Sequence, residues 1–201
     1  MFLLTNFFVF FASEMNNFVY LCRQKMEVVL IRHTRVAVAQ GICYGQADVD
    51  VAETFAEEAE TTLVKLSAYG AFDAVYSSPL KRARLLATYC GYARPLVDDR
   101  LMEMSMGEWE LRPYDELDDP YSKAWFENYM TMPTPGGESF KMLYDRVAAF
   151  LDELRLKDYD RVAVFAHGGV LACAGLYAGL YDQDHIWENH VEYGGVMCVT
   201  L

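Results

Sequence analysis

Arg32 and His33 stand side by side where an apolar run ends. A guanidinium binds an anion with a planar fork of donors, and a neighbouring imidazole can attack that anion or exchange a proton with it. Taken alone, the pair reads better as solvated charge closing a strand, because Arg-His is a common dipeptide. Arg82 lies in Ser77-Ser78-Pro79-Leu80-Lys81-Arg82-Ala83, at the predicted start of a helix. A cation there opposes the helix macrodipole. An anionic ligand would relieve both, by taking the free N–H groups and the guanidinium together. A solvated arginine on a helix face is the alternative, and Arg84 fits it. His167 ends another apolar run and precedes Gly168 and Gly169, which let backbone approach a ligand closely. Glu103 sits in Leu101-Met102-Glu103-Met104-Ser105-Met106. Apolar neighbours would raise its pKa and suit it to proton donation. Glu108 and Glu110 read as well as carboxylates of a surface loop.

These groups need an architecture that gathers them. Glu27 to Ile31 and Arg161 to Ala166 are short, β-branched and free of turn residues, the pattern of buried strands. Further strands are expected at Phe72–Tyr76, near Leu96-Val97, and from Gly195 to Leu201. Thr54-Phe55-Ala56-Glu57 has the form of a capping box, opening a helix to about Ala68 with Gly70 placed to end it. Ser78 and Pro79 look like the N-cap and first residue of a helix running from Leu80 to Cys90. Ser139 to about Leu156 is an amphipathic helix with Leu143, Val147, Phe150, Leu151 and Leu154 inward, and a small-residue helix follows from Val170 to about Leu180. Residues 99–137 hold several prolines and a helix around Ser122–Tyr129, and read as an insertion over the site. Strands and helices alternate, which predicts an α/β fold: a three-layer αβα sandwich on a mostly parallel sheet. In such sheets ligands bind beyond the C-terminal strand ends, where Arg32, His33 and His167 fall.

Composition narrows the partners. Seventeen Lys and Arg face 29 Asp and Glu in 201 residues, a formal charge of -12. That argues against a nucleic-acid or anionic-membrane binder, so an anionic small molecule must be captured by a local arginine cluster. The five cysteines are widely spaced with no Cys-x-x-Cys pair, which suits free thiols in a reducing, cytoplasmic compartment. No Asp/Glu/His cluster has metal-ligand spacing, and neither metal nor cofactor is expected. Phe2 to Ala12 is apolar but too short to span a bilayer, and no basic residue precedes it. Residues 1–25 are therefore expected to be an extension outside the fold, with the domain at 26–201.

With these residues in view, the sequence resembles the histidine phosphatase, or phosphoglycerate-mutase-like, superfamily over Met26 to Leu201. The resemblance is carried by Arg32-His33-Thr34, Ser78-Pro79-Leu80-Lys81-Arg82-Ala83, Leu101-Met102-Glu103 with Gly107-Glu108-Trp109-Glu110, Pro135-Gly136-Gly137-Glu138-Ser139, and Ala166-His167-Gly168-Gly169, in that order. It implies that His33 carries the phosphoryl group as a phosphohistidine. Arg32, Arg82 and His167 would hold the phosphoryl oxygens, and Glu103 would serve as acid and then base. The family usually reads Arg-His-Gly-x-Thr/Ser, with an Asn a few residues on. Here Thr34 follows His33 directly and no Asn lies before Gly45, so Thr34, Gln40 or backbone N–H groups would have to substitute. Gly41-Ile42-Cys43-Tyr44-Gly45-Gln46-Ala47-Asp48-Val49 resembles the α-ribazole phosphatase branch. That branch implies α-ribazole 5′-phosphate as substrate, with Thr34, Tyr44, Gly45 and Gly168 among the substrate contacts. Tyr44 is open to a second reading, as a packed loop aromatic. Alternatives within the superfamily are a sugar phosphatase, a mutase and a non-catalytic regulator. The modest stretch between Glu103 and His167 favours a phosphatase over a mutase, and the presence of both histidines disfavours the regulator.

Overall fold

The computed structural model describes residues 25–201. The apolar stretch at residues 2–12, and the expectation attached to it, lies outside them. Five strands form one sheet in the order β3-β2-β4-β1-β5: β1 Glu27–Arg32, β2 Ala74–Ser77, β3 Leu96–Val97, β4 Arg161–Ala166 and β5 Val196–Thr200. All neighbours are parallel except β5, which runs antiparallel to β1. The helices are α1 Phe55–Ser67, α2 Lys81–Tyr89, α3 Pro120–Asn128, α4 Phe140–Leu154 and α5 Gly168–Tyr177.

The two central strands explain the layering. Val28, Leu30, Val162, Val164 and Ala166 are buried on one face against α4 and α5. Val29, Ile31, Ala163 and Phe165 are buried on the other, against α1 and α2. Strand side chains alternate, so a run apolar at every position is buried on both faces. This is the expected three-layer αβα sandwich. All the inward positions read on α4 are buried, and Ser139 caps that helix by accepting the Met142 N–H. β3 is an exposed edge of two residues, too short to recruit another strand.

Three local expectations are corrected. Thr54 takes near-helical dihedrals instead of the extended geometry of a cap, and its hydroxyl donates to Glu58 Oε1 at 2.6 Å, so no capping box with Glu57 forms. Ser78 does not cap a helix: Leu80 stays extended (ψ 135°) and α2 starts at Lys81. The α2 N-terminus is also not free for a ligand at Lys81, whose N–H is held by Asp48 Oδ1 at 2.7 Å. The capping box of the fold is on α3, between Asp119 and Ser122.

Residues 99–137 form short 3-10 turns at Asp99–Leu101, Gly107–Trp109 and Tyr114–Glu116, followed by α3. They pack around a satellite cluster of Cys43, Met106, Trp109, Leu117 and Trp125. Gly107 has φ +55°, and a Cβ there would sit 2.1 Å from the Pro135 carbonyl oxygen, which explains the glycine. Among the described residues, no helix is long and apolar enough to cross a membrane.

Candidate active site

Register places the histidines. β1 and β4 pair with Arg32 opposite Ala166, and the His33 N–H continues the ladder to the Ala166 carbonyl at 3.1 Å. His33 and His167 therefore leave adjacent parallel strands at the same level. Their ring centroids are 5.2 Å apart, and both residues are buried.

Hydrogen bonding fixes the His33 tautomer. A carbonyl only accepts, so the 2.6 Å contact between His33 Nδ1 and the Thr34 carbonyl puts the ring proton on Nδ1 and leaves a lone pair on Nε2. Burial, Arg82 and Arg32 depress the His33 pKa to about 3 against the Thr34 bond, which raises it. The imidazole is thus neutral and nucleophilic at ordinary pH. His167 Nε2 meets Ser78 Oγ at 2.7 Å. Ser78 Oγ accepts the Leu80 N–H and keeps a second lone pair and its own proton, so it can pair with either tautomer of His167. Burial first, then His33 and Arg82, holds the His167 pKa well below its usual value.

The two arginines are held by carbonyls and not by carboxylates. Arg82 is fully buried and donates to the Ala47 carbonyl at 2.9 Å and the Gly45 carbonyl at 2.6 Å. Arg32 donates from Nη1 to the Val191 carbonyl at 2.7 Å. Arg32 Nε, Arg82 Nε and His167 Nδ1 are buried and have no hydrogen-bond partner among the described residues. Buried unpaired donors are costly. The two guanidinium Nε–H groups are such donors, and an anion's oxygens would satisfy them.

Glu103 comes from the loop after β3 and faces the start of α5. Its carboxylate accepts from the Met104 N–H at 2.9 Å and the Gly169 N–H at 3.1 Å. A Cβ at Gly169 would lie 2.3 Å from Glu103 Oε1, so only glycine admits the carboxylate here. Arg146 on α4 fastens this segment, donating to the carbonyls of Arg100 (2.7 Å), Met102 (2.6 Å) and Glu103 (2.8 Å) while paired with Glu138 at 2.8 Å.

The residues expected to contact substrate are placed differently from one another. Tyr44 lines a cavity of about 340 Å³ that continues from Arg32 and Glu103. Its hydroxyl also bonds Tyr193 at 2.9 Å. Gly168 lines the same cavity, and a Cβ on it would crowd Arg32 Cζ at 3.2 Å. Gly45 donates its N–H to Glu110 and its carbonyl accepts from Arg82, so its backbone positions the guanidinium. Thr34 is fully buried, with its hydroxyl unpartnered and its methyl 4.0 Å from where a Gly194 Cβ would lie, while Gln40 is exposed. Glu110 is no surface carboxylate. It collects the N–H groups of Gly45, Gln46, Ala47 and Met106 and so shapes the loop that carries the Arg82 acceptors. Arg146 and Tyr193 escaped the sequence reading, and Ser78 was read there only as a helix cap. For Ser78 the signal was a serine directly after a strand end. Arg146 shows only as a polar position on an amphipathic helix.

Comparison with known proteins agrees with this geometry. The model of the histidine phosphatase superfamily (branch 1) matches residues 28–201. The chain is 30% identical over 179 residues to the adenosylcobalamin/alpha-ribazole phosphatase of Escherichia coli K12, covering 84% of this chain and 87% of that one. It is 30% identical over 167 residues to phosphoserine phosphatase 1 of Hydrogenobacter thermophilus, covering 79% and 78%. The crystal structure of the alpha-ribazole phosphatase from Shigella flexneri superposes with a TM-score of 0.78 at 25% identity, over 86% of this chain and 89% of that one. Matched from its first strand to its last residue, with phosphatases among its relatives, this chain belongs to the histidine phosphatase superfamily and is a phosphatase.

Proposed function

We propose that residues 26–201 form a metal-independent phosphomonoesterase that works through a phosphohistidine on His33, and that its substrate is α-ribazole 5′-phosphate. His33 Nε2 attacks phosphorus while the bond to the ester oxygen breaks. Glu103 serves as the general acid, giving a proton to the leaving alkoxide. A water molecule then attacks phosphorus and the P–N bond breaks, with Glu103 taking the water's proton. Arg32, Arg82 and His167 face the phosphoryl oxygens, where charge builds in each transition state.

The observation that carries the choice of substrate is the cavity beside Glu103. Its walls include Tyr44, Tyr114, Trp125, Tyr129 and Trp187, and its volume is about 340 Å³. Aromatic walls favour a flat leaving group, such as a base on a ribose, over the small zwitterion of phosphoserine. Trp125 lines that wall, and its Nε1 is buried without a partner among the described residues.

Phosphate release from α-ribazole 5′-phosphate, phosphoserine, a hexose phosphate and 3-phosphoglycerate tests the reading. Burying one aromatic leaving group favours α-ribazole 5′-phosphate in kcat/KM by on the order of 100-fold. Equal or faster release from phosphoserine overturns the substrate assignment. Phosphate transfer without release overturns the hydrolase assignment.

A further inference from the structure

The arginine clamp touches more than backbone. The Tyr193 ring lies against Arg32, with Cζ 4.0 Å from its centroid, and stands 5.5 Å from the His33 ring. The Tyr193 hydroxyl bonds the Tyr44 hydroxyl at 2.9 Å, and the Tyr44 ring stands 5.5 Å from Arg82 Cζ. A pair of phenols thus links the two guanidiniums. The backbone after Tyr193 is anchored in turn. The Gly194 N–H donates to the His33 carbonyl at 3.1 Å, and Thr62 Oγ1 donates to the Gly194 carbonyl at 3.0 Å. Gly194 has φ +64°, a turn that aims the preceding tyrosine back over the strand end.

We propose that Tyr193 is a positioning residue for the phosphoryl clamp: its ring fixes the plane of Arg32, and its hydroxyl, through Tyr44, ties that plane to Arg82. Arg32 needs such a fixture. Among the described residues its Nε is buried without a partner and only Nη1 is tied to a carbonyl, so stacking is what keeps the fork from rotating away. Fixing the donors in advance spares their reorganisation when charge develops on the phosphoryl oxygens.

The proposal rests on phosphatase chemistry at His33 but not on the leaving group, so p-nitrophenyl phosphate is the substrate and inorganic phosphate the competing anion. Failure of the wild-type protein to release p-nitrophenol would count against the chemistry; the variants judge the positioning role. Tyr193→Leu lowers kcat/KM by about tenfold to 100-fold and weakens phosphate inhibition, while Tyr193→Phe, which keeps the ring, returns kcat/KM to within about threefold of wild type. In an Arg32→Ala background Tyr193→Leu costs less than about twofold, because the group it positions is gone. An equal loss in both backgrounds, or a Tyr193→Leu enzyme within about twofold of wild type, overturns the proposal. Should the Leu variant fail to fold, the hydroxyl link decides. Tyr193→Phe and Tyr44→Phe each weaken phosphate inhibition by about threefold and the double variant no further, since both delete one bond. Additive losses, or none, overturn the proposal.

Discussion

At the phosphate end of the site every functional group is attached to regular structure. His33 and His167 terminate adjacent strands, Arg82 sits in the first turn of α2, and all three are at most 3% exposed. At the leaving-group end much of the wall comes from the stretch 99–137 and the segment after α5, with Phe140, Leu143 and Ala172 of α4 and α5 behind it. Trp187 there is 54% exposed and donates from Nε1 to the Tyr129 hydroxyl at 2.7 Å. The contrast teaches where each property of the enzyme is stored. On the proposed mechanism, the buried donors serve what every substrate has in common, a phosphoryl group. A softer aromatic wall meets what differs between substrates.

Mutations should sort along that division, and the sorting can fail. His33→Ala is expected to lower turnover of all phosphate esters by at least about 10⁴-fold, with loss of acid-labile protein-bound phosphate after rapid quenching. Arg82→Gln removes one clamp donor and should cost about 10² to 10³ in kcat on any ester, whatever its leaving group. Glu103 stands at the junction of the two ends. Glu103→Gln should slow alkyl phosphates by about 10² or more and p-nitrophenyl phosphate far less, because p-nitrophenolate leaves without a proton; equal losses would remove Glu103 from the acid role. Trp187→Ala should raise KM for a ribose-linked aromatic base by about tenfold and leave β-glycerophosphate unchanged. If it slows both alike, the division between the ends is wrong.

The phosphate end should also leave a mark on stability. The His33 pKa is about 3 in the folded chain against an ordinary value of 6.5. Between those values the unfolded chain binds the extra proton, so stability rises with pH. The contribution is complete above about 6.5 and is lost as pH falls toward about 3, with His167 acting in the same sense. Urea midpoints measured across this window should climb with pH for wild type and climb less for His33→Ala.

The same division governs what the sequence disclosed. β1 and β4 were legible because burial on both sheet faces writes an unbroken apolar run, and the histidines were legible because they end those runs. Arg82 and Glu103 stood out through their neighbours in the chain. Glu110 did not: its partners Gly45 to Ala47 lie more than sixty positions upstream, and nothing in its own loop announces them. Tyr193 meets Tyr44 across 149 positions and Arg146 meets Glu103 across 43. Such pairs obey no helical or strand period, so only the folded chain reveals them. Ser78 was noticed for the wrong reason. A serine followed by proline after a strand mimics a helix start, and here its hydroxyl serves His167.

The Arg32–Ala166 register has an outcome for durability. The imidazoles of His33 and His167, catalytic on the proposed mechanism, hang from one pair of rungs in the middle of the sheet, so neither can drift without parting β1 from β4. Warming should therefore spare catalysis until the whole domain melts, and residual activity should vanish in step with the circular dichroism signal.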